Sequence, residues 1–74
     1  GYHFGGRVEI KKLEEVLKIK IPNDYDFETV GGMVLSAFNH IPKIGEEIEK
    51  YNLKIKIIDA DNRSVKIVEI SIKQ

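Results

Sequence analysis

The chain has 74 residues and carries 12 basic and 12 acidic side chains, so its formal net charge is zero. A neutral chain has no broad positive field for nucleic acid or anionic lipid, and this one has no cysteine for disulfides or thiolate sites. The length predicts a single domain over residues 1–74, which we interpret as part of a longer protein. No apolar run approaches the roughly 20 residues of a membrane helix, so we expect a soluble domain that does not insert into a membrane.

The amino-terminal segment has the pattern of a strand followed by a helix. Tyr2 and Phe4 alternate with His3 ahead of two glycines, which predicts a short strand that ends in a turn. Apolar residues then recur at helical spacing and predict a first helix over 11–18. Pro22 cannot continue a helix, so a polar loop is expected after it.

The second helix has the strongest pattern in the sequence. Thr29 stands at its start as a capping residue, and apolar residues follow at steps of three and four as far as Ile41. Gly31 and Gly32 fall in the first turn, where glycine lowers helix stability. Two explanations of this pair are open: close packing against another backbone, which we favour, or approach of a phosphate to the helix start. The spacings of the common phosphate-binding loops are absent.

The second half of the chain predicts three strands. Pro42 ends the helix, and Gly45 allows the reversal that starts the sheet. Ile48 lies among glutamates, as in a short strand with one buried position, and Tyr51 and Asn52 are expected to form a tight turn after it. The order of elements predicts an α+β domain in which two helices pack on a small, mostly antiparallel sheet.

The last two strands are predicted to form a long hairpin with its turn at Asn62 and Arg63. Their apolar residues change face at matching points, and this symmetry gives the pairs Leu53–Ile72, Ile55–Ile70, Ile57–Val68, Ile58–Ile67 and Ala60–Val65. We therefore expect both strands to switch faces together near the tip.

The predicted switch leaves an apolar patch on the reverse face of the hairpin, formed by Ile58, Ala60, Val65 and Ile67. Two interpretations are open. Strong coiling of the hairpin folds the patch over another part of the same core, which we favour because a small domain has little apolar area to spare. Alternatively, the patch is exposed and contacts a partner domain or a second copy of the domain.

No catalytic or metal-binding pattern stands out. Oxygen ligands occur in two loops, at 23–26 and 59–62, but neither loop has calcium-loop spacing, and Asp and Asn are ordinary turn formers. The two histidines have no second ligand at a metal-like spacing, and no serine has an activating partner suggested by the sequence. We predict no catalytic residue and no metal site.

The order of these motifs resembles one known family. The residues that carry the resemblance are Gly6, Arg7, Leu13, Glu14, Leu17, Ile21, Pro22, Tyr25, Thr29, Val30, Gly31, Gly32, Leu35, Ile41, Pro42, Gly45, Ile55, Ile57, Ile58, Arg63, Val65, Val68 and Ile70. As a set they are similar to the CorC/HlyC transporter-associated domain over nearly the whole chain. That module usually stands at the carboxyl end of hemolysin-like and magnesium and cobalt efflux proteins, after a pair of CBS domains and often a membrane region.

The resemblance implies a non-catalytic regulatory module that modulates ion transport at the cytoplasmic face of the cell membrane. The implied partners are the CBS domains and membrane region of the parent protein, or a second copy of the domain in a homodimer. The candidate contact surface is the hairpin tip, with Ile58, Arg63, Val65 and Ile67.

The resemblance also raises an alternative function. The family fold is similar to the FAD-binding subdomain of PCMH-type oxidases, so the alternative is sensing of an adenine nucleotide or a flavin at Gly31 and Gly32. Analogy between folds transfers no binding site. No residue of this chain carries a motif for the flavin ring or the pyrophosphate, and we therefore expect no bound cofactor.

Overall fold

The computed structural model describes all residues except Asn23, Asp24 and Gln74. In chain order its elements are β1 (Tyr2–Gly5), α1 (Ile10–Leu17), α2 (Val30–Phe38), β2 (Glu47–Lys50), β3 (Leu53–Ala60) and β4 (Val65–Ile72). The strands form one sheet in the order β1-β4-β3-β2, and every neighbouring pair is antiparallel. Because α2 packs against the sheet and α1 packs beside α2, the predicted α+β class is confirmed.

One hydrophobic core lies between the helices and the sheet. In α1 the buried residues recur at helical spacing, and in β3 buried apolar residues alternate with exposed lysines. The core cluster comprises Phe4, Ile10, Leu13, Leu17, Ile21, Phe27, Val30, Met33, Val34, Leu53, Ile55, Ile57, Val65, Val68 and Ile70. Each of the long strands and both helices therefore present one apolar face to the same interior.

Local sequence sets the helix boundaries. The hydroxyl of Thr29 accepts a hydrogen bond from the Gly32 N–H at 3.1 Å, so the predicted cap of α2 is confirmed. Glu9 makes no side-chain cap on α1, and this helix lies one residue earlier than predicted at both ends. It ends because Lys18 takes a left-handed conformation with φ of 57°.

Two reversals of the chain have the predicted residues. Tyr51 and Asn52 both take left-handed conformations, with φ of 57° and 61°, which is the combination found in type I′ hairpin turns. Gly45 has φ of 94° in the reversal that leads into β2. The tight turn before β3 and the role of Gly45 are both confirmed.

The hairpin of β3 and β4 has the predicted register except near its tip. The predicted pairs Leu53–Ile72, Ile55–Ile70, Ile57–Val68 and Ala60–Val65 are confirmed. The predicted pair of Ile58 with Ile67 is wrong, because Asp59 occupies the position opposite Ile67. Ile58 is thus an extra residue in β3, and Lys66 is an extra residue in β4.

These two extra residues form compensating bulges, and the predicted change of face is wrong for that reason. The first bulge shifts the register by one residue and the second shifts it back. Beyond the bulges, Ala60 packs against the core and Val65 lies within it, only 5% exposed. Both strands therefore present the same face to the core along their whole length.

Candidate functional site

The hairpin tip presents a small exposed surface. Ile67 is 38% exposed and Arg63 is exposed, whereas Ile58 is half-buried and packs outside the core cluster. We call these three residues the tip surface. Val65, which was predicted to belong with them, lies in the core, so that part of the prediction is wrong. The bulges explain the separation, because they place Val65 and Ile67 on opposite faces of the sheet.

Asp61 orders the turn that carries the tip surface. Its Oδ1 accepts hydrogen bonds from the Arg63 and Ser64 N–H groups, both at 2.8 Å, and its own N–H donates to the Ser64 carbonyl at 3.0 Å. The Nζ of Lys66 lies 3.5 Å from Oδ2. The hydrogen bond from Arg63, followed by that from Ser64, lowers the pKa of Asp61 below its ordinary value.

Acid is expected to loosen this turn. A carboxyl group whose pKa is lowered by folding stabilises the folded state above its ordinary pKa, and that contribution is lost as the pH falls through the folded pKa. The NMR amide resonances of Arg63 and Ser64 should therefore titrate with a midpoint below the ordinary aspartate pKa. Asp61→Asn should abolish this transition, and Asp59→Asn should leave it in place. A midpoint at or above the ordinary value would contradict the hydrogen bonding described here.

A groove beside the start of α2 contains Gly31 and Gly32, the glycines predicted as candidate cofactor-binding residues. The groove has a volume of about 650 Å³ and lies between the β1–α1 turn, the start of α2 and the start of β4. Arg7 and Lys66 also line it. Folding thus brings the paired glycines next to the base of the hairpin tip, a proximity that no local sequence pattern indicates.

The amide groups at the start of α2 are already bonded within the protein. The first four N–H groups donate, in order, to the Val8 carbonyl, the Gly6 carbonyl, the Thr29 hydroxyl and the Thr29 carbonyl, at 2.8, 2.8, 3.1 and 3.0 Å. A Cβ on Gly31 would lie 2.9 Å from the Gly6 carbonyl oxygen. These contacts favour close packing as the explanation of the glycine pair. The expected lack of a cofactor and the flavin or nucleotide alternative both stay predictions.

The loop between α2 and β2 carries two exposed isoleucines. Ile41 was predicted to belong to the apolar side of α2, and this is wrong because the helix ends at Phe38, where Asn39 takes a left-handed conformation with φ of 64°. Ile44 was not singled out by the sequence pattern. Ile44 is 61% exposed and Ile41 is 39% exposed, and both line a groove of about 620 Å³ with Ala60 and the buried Pro42. The available signal was the position of Ile44, which stands between a lysine and a glycine outside any helical or strand period.

The acidic and histidine side chains of residues 1–22 and 25–73 form no metal-binding cluster. Within these ranges no three histidine, cysteine, aspartate or glutamate side chains come together as a metal site would require. Asn23 and Asp24 of the first acidic loop lie outside the described residues. Neither described helix has the length and apolar character needed to cross a membrane.

Comparison with known proteins identifies the family. The family model CorC_HlyC, described as a transporter associated domain, matches residues 1–74. This chain belongs to the CorC/HlyC family. The resemblance drawn from the sequence is therefore confirmed over the whole chain.

Relatives of this CorC/HlyC domain are longer proteins. A hemolysin C homolog from Rickettsia rickettsii (strain Sheila Smith) is 45% identical over 69 residues, which cover 90% of this chain and 23% of the relative. A possible hemolysin C from Rickettsia canadensis (strain McKiel) is 43% identical over 68 residues with the same coverage. The chain thus spans about a quarter of the length of the curated relatives it matches.

Solved structures share the fold. The CorC_HlyC domain from Haemophilus ducreyi has a TM-score of 0.81 at 24% identity, with 99% of this chain and 88% of that chain covered. The transporter associated domain of a Xylella fastidiosa Temecula1 hemolysin, in complex with Mg²⁺ and Mn²⁺, has a TM-score of 0.76 at 29% identity, with 97% and 86% covered. The two-helix, four-strand arrangement is therefore the fold of the CorC/HlyC family.

Proposed function

We propose that this CorC/HlyC domain is a non-catalytic regulatory module of a larger membrane protein that transports ions, of the magnesium and cobalt efflux or hemolysin-like class. The single observation that carries the proposal is the match of the whole chain to a transporter associated domain. The size of the relatives supports it, since the matching region is only 23% of a hemolysin C homolog. The Xylella relative supports it as well, because it was solved with divalent cations.

The tip surface is the proposed site of contact with the parent protein, at the cytoplasmic face of the membrane. Ile58 and Ile67 both lie outside the core cluster near the hairpin tip, and Arg63 supplies a positive charge in the turn between the two strands. A partner that covers the two isoleucines removes apolar area from water that the domain alone leaves accessible. The proposed partners are the CBS domains and the membrane region, or a second subunit. A contact that differs between two transporter states would shift their populations.

Ile67→Asp in the full-length parent tests this proposal. We expect ion efflux from cells to fall while the abundance of the protein stays unchanged, because a carboxylate in an apolar contact is costly to desolvate. Ile72→Asp is the matched control, since Ile72 is 46% exposed at the opposite end of the same strand. That variant should transport ions as the wild type does.

A fall in ion efflux reports on contact at the tip surface only if Ile67→Asp leaves the domain folded. Thermal unfolding of the isolated domain should remain cooperative in Ile67→Asp, whereas Val65→Asp should abolish the transition because Val65 is only 5% exposed. Wild-type efflux in the Ile67→Asp parent would count against the tip surface. Loss of folding in that variant would show instead that Ile67 belongs to the core.

A further inference from the structure

The two edges of the sheet differ in charge. β1 and β2 are the outer strands, and β2 carries Glu47, Glu49 and Lys50 among its four residues. Charged side chains are a usual means by which an edge strand resists pairing with another chain. β1 carries no aspartate, glutamate, lysine or arginine. Of the two edges, β1 is therefore the one suited to pairing.

The register of β1 shows which of its backbone groups face the open edge. The Gly6 N–H donates to the Lys66 carbonyl at 2.9 Å, in continuation of the ladder between β1 and β4. Along an antiparallel strand, the backbone N–H and C=O groups of every second residue point to the same neighbouring strand. The backbone groups of Tyr2 and Phe4 therefore point to β4, as the N–H of Gly6 does. The N–H and C=O of His3 consequently face the open edge.

We propose that two copies of the domain pair through β1, antiparallel and about a two-fold axis at His3, so that their sheets join. The His3 N–H of each copy then donates to the His3 carbonyl of the other. Tyr2 of one copy stands opposite Phe4 of the other in the adjacent non-hydrogen-bonded pair, where side chains come closest. Tyr2 is 55% exposed in the single domain, so pairing covers an aromatic ring that water otherwise contacts.

Charge favours a second copy on β1 and opposes one on β2. When two copies of one strand pair about a two-fold axis, each residue stands opposite the same residue of the other copy, or opposite one that lies an even number of positions along the sequence from it. On β2 every such arrangement places like charges opposite each other, Glu47 with Glu49 or a charged residue with itself, and such pairs are destabilising. The carboxylate next to β1 belongs to Glu69 of β4, and it lies 3.9 Å from the imidazole of His3. β1 itself has no aspartate, glutamate, lysine or arginine that would stand opposite its own copy.

The proposed interface is small and its affinity is correspondingly modest. β1 has four residues, so we expect less buried area than the roughly 1,200 Å² of a standard interface and a dissociation constant in the micromolar range or weaker. Attachment of two domains to one assembly raises their effective concentration and favours pairing without new contacts. Pairing through β1 is a property of the domain itself and does not rest on the proposed function.

Sedimentation velocity over a concentration series tests the pairing. The wild-type mass should rise from 8.5 kDa toward twice that value as the concentration increases. His3→Pro should stay at 8.5 kDa, because proline removes an N–H that faces the open edge and leaves the ladder to β4 intact. Glu47→Pro is the matched control on β2. The Ile57 N–H donates to the Glu46 carbonyl at 2.9 Å, so the Glu47 N–H also faces outward, and this variant should associate as the wild type does.

Amide hydrogen exchange provides a second measurement that needs no variant. The His3 amide should exchange at least about tenfold more slowly at high than at low protein concentration, whereas the Glu47 amide should exchange at one rate throughout. A wild-type mass of 8.5 kDa at every concentration would overturn the proposal. Loss of association in Glu47→Pro but not in His3→Pro would overturn it too. Neither result bears on the tip surface, which is tested in the full-length parent.

Discussion

Replacing Gly6 with alanine is expected to lower the free energy of unfolding by about 3 kcal/mol or more. A Cβ at this position would lie 2.2 Å from the Val65 carbonyl oxygen, and that oxygen belongs to the backbone and cannot rotate away. Any shift of Gly6 also strains two hydrogen bonds, from its N–H to the Lys66 carbonyl at 2.9 Å and from the Gly31 N–H to its carbonyl at 2.8 Å. The substitution therefore disturbs β1, α2 and β4 at one point.

Gly5→Ala is the control for this substitution. The nearest atoms to a Cβ on Gly5 lie at 3.9 Å, which is ordinary contact, so this variant should stay within about 1 kcal/mol of the wild type. Urea unfolding followed by circular dichroism measures both free energies. Equal stability of the Gly6→Ala and Gly5→Ala variants would show that the close approach of Gly6 to Val65 is not maintained in solution.

Replacing Ile55 with alanine is expected to lower the free energy of unfolding by about 2–5 kcal/mol. Ile55 is 0% exposed and lies in the interior strand β3, where it pairs with Ile48 of β2 on one side and Ile70 of β4 on the other. Truncation removes apolar contacts and leaves a cavity that the flanking strands cannot fill. Native domains have only about 5–15 kcal/mol of stability, so the loss is a large fraction of the total.

Ile67→Ala provides the comparison for Ile55→Ala, since it removes the same atoms from a side chain that is 38% exposed outside the core. We expect it to cost less than about 1 kcal/mol, measured by the same urea titration. Comparable losses in the two variants would contradict the assignment of Ile67 to the tip surface.

Elements set by neighbouring residues could be predicted from the sequence. Thr29 lies three residues before the amide that its hydroxyl accepts from, and Tyr51 and Asn52 are adjacent residues that both take the left-handed conformation of their turn. The predicted start of α1 is wrong by one residue, because Glu9 supplies no side-chain cap that would mark the true start. Where a capping or turn residue is present, local chemistry fixes the boundary.

The error at the hairpin tip has a different origin. A break in apolar alternation arises equally from a change of face and from a bulge, and here bulges occur in both strands. The second bulge reverses the register shift of the first, so Ala60 pairs with Val65 whether the strands change face or contain bulges. The pattern within the hairpin therefore could not distinguish them. Burial of Val65 decides between them, and burial depends on the helices that pack over the sheet.

The candidate site was predictable only in part for a related reason. Ile67 is exposed, although the internal position was favoured for the patch that contains it, and the contacts of Gly31 favour the close packing that was favoured for the glycine pair. The backbone that Gly31 approaches is Gly6, which is distant in sequence and is brought close by the sheet. Contacts of this kind have no periodic signal, so their partners emerge only from the tertiary structure.

The position of β4 has a consequence for how the domain forms. Among the described residues, β1 is joined to the sheet only through β4, and β4 follows the other three strands in sequence. During synthesis, β1 therefore cannot pair with β4 until some sixty further residues have been added to the chain. The helices can form earlier, but the interior of the sheet closes only when Val65–Ile72 has left the ribosome. A chain that stops before Val65 lacks the centre of its sheet and leaves β1 with no strand to pair with.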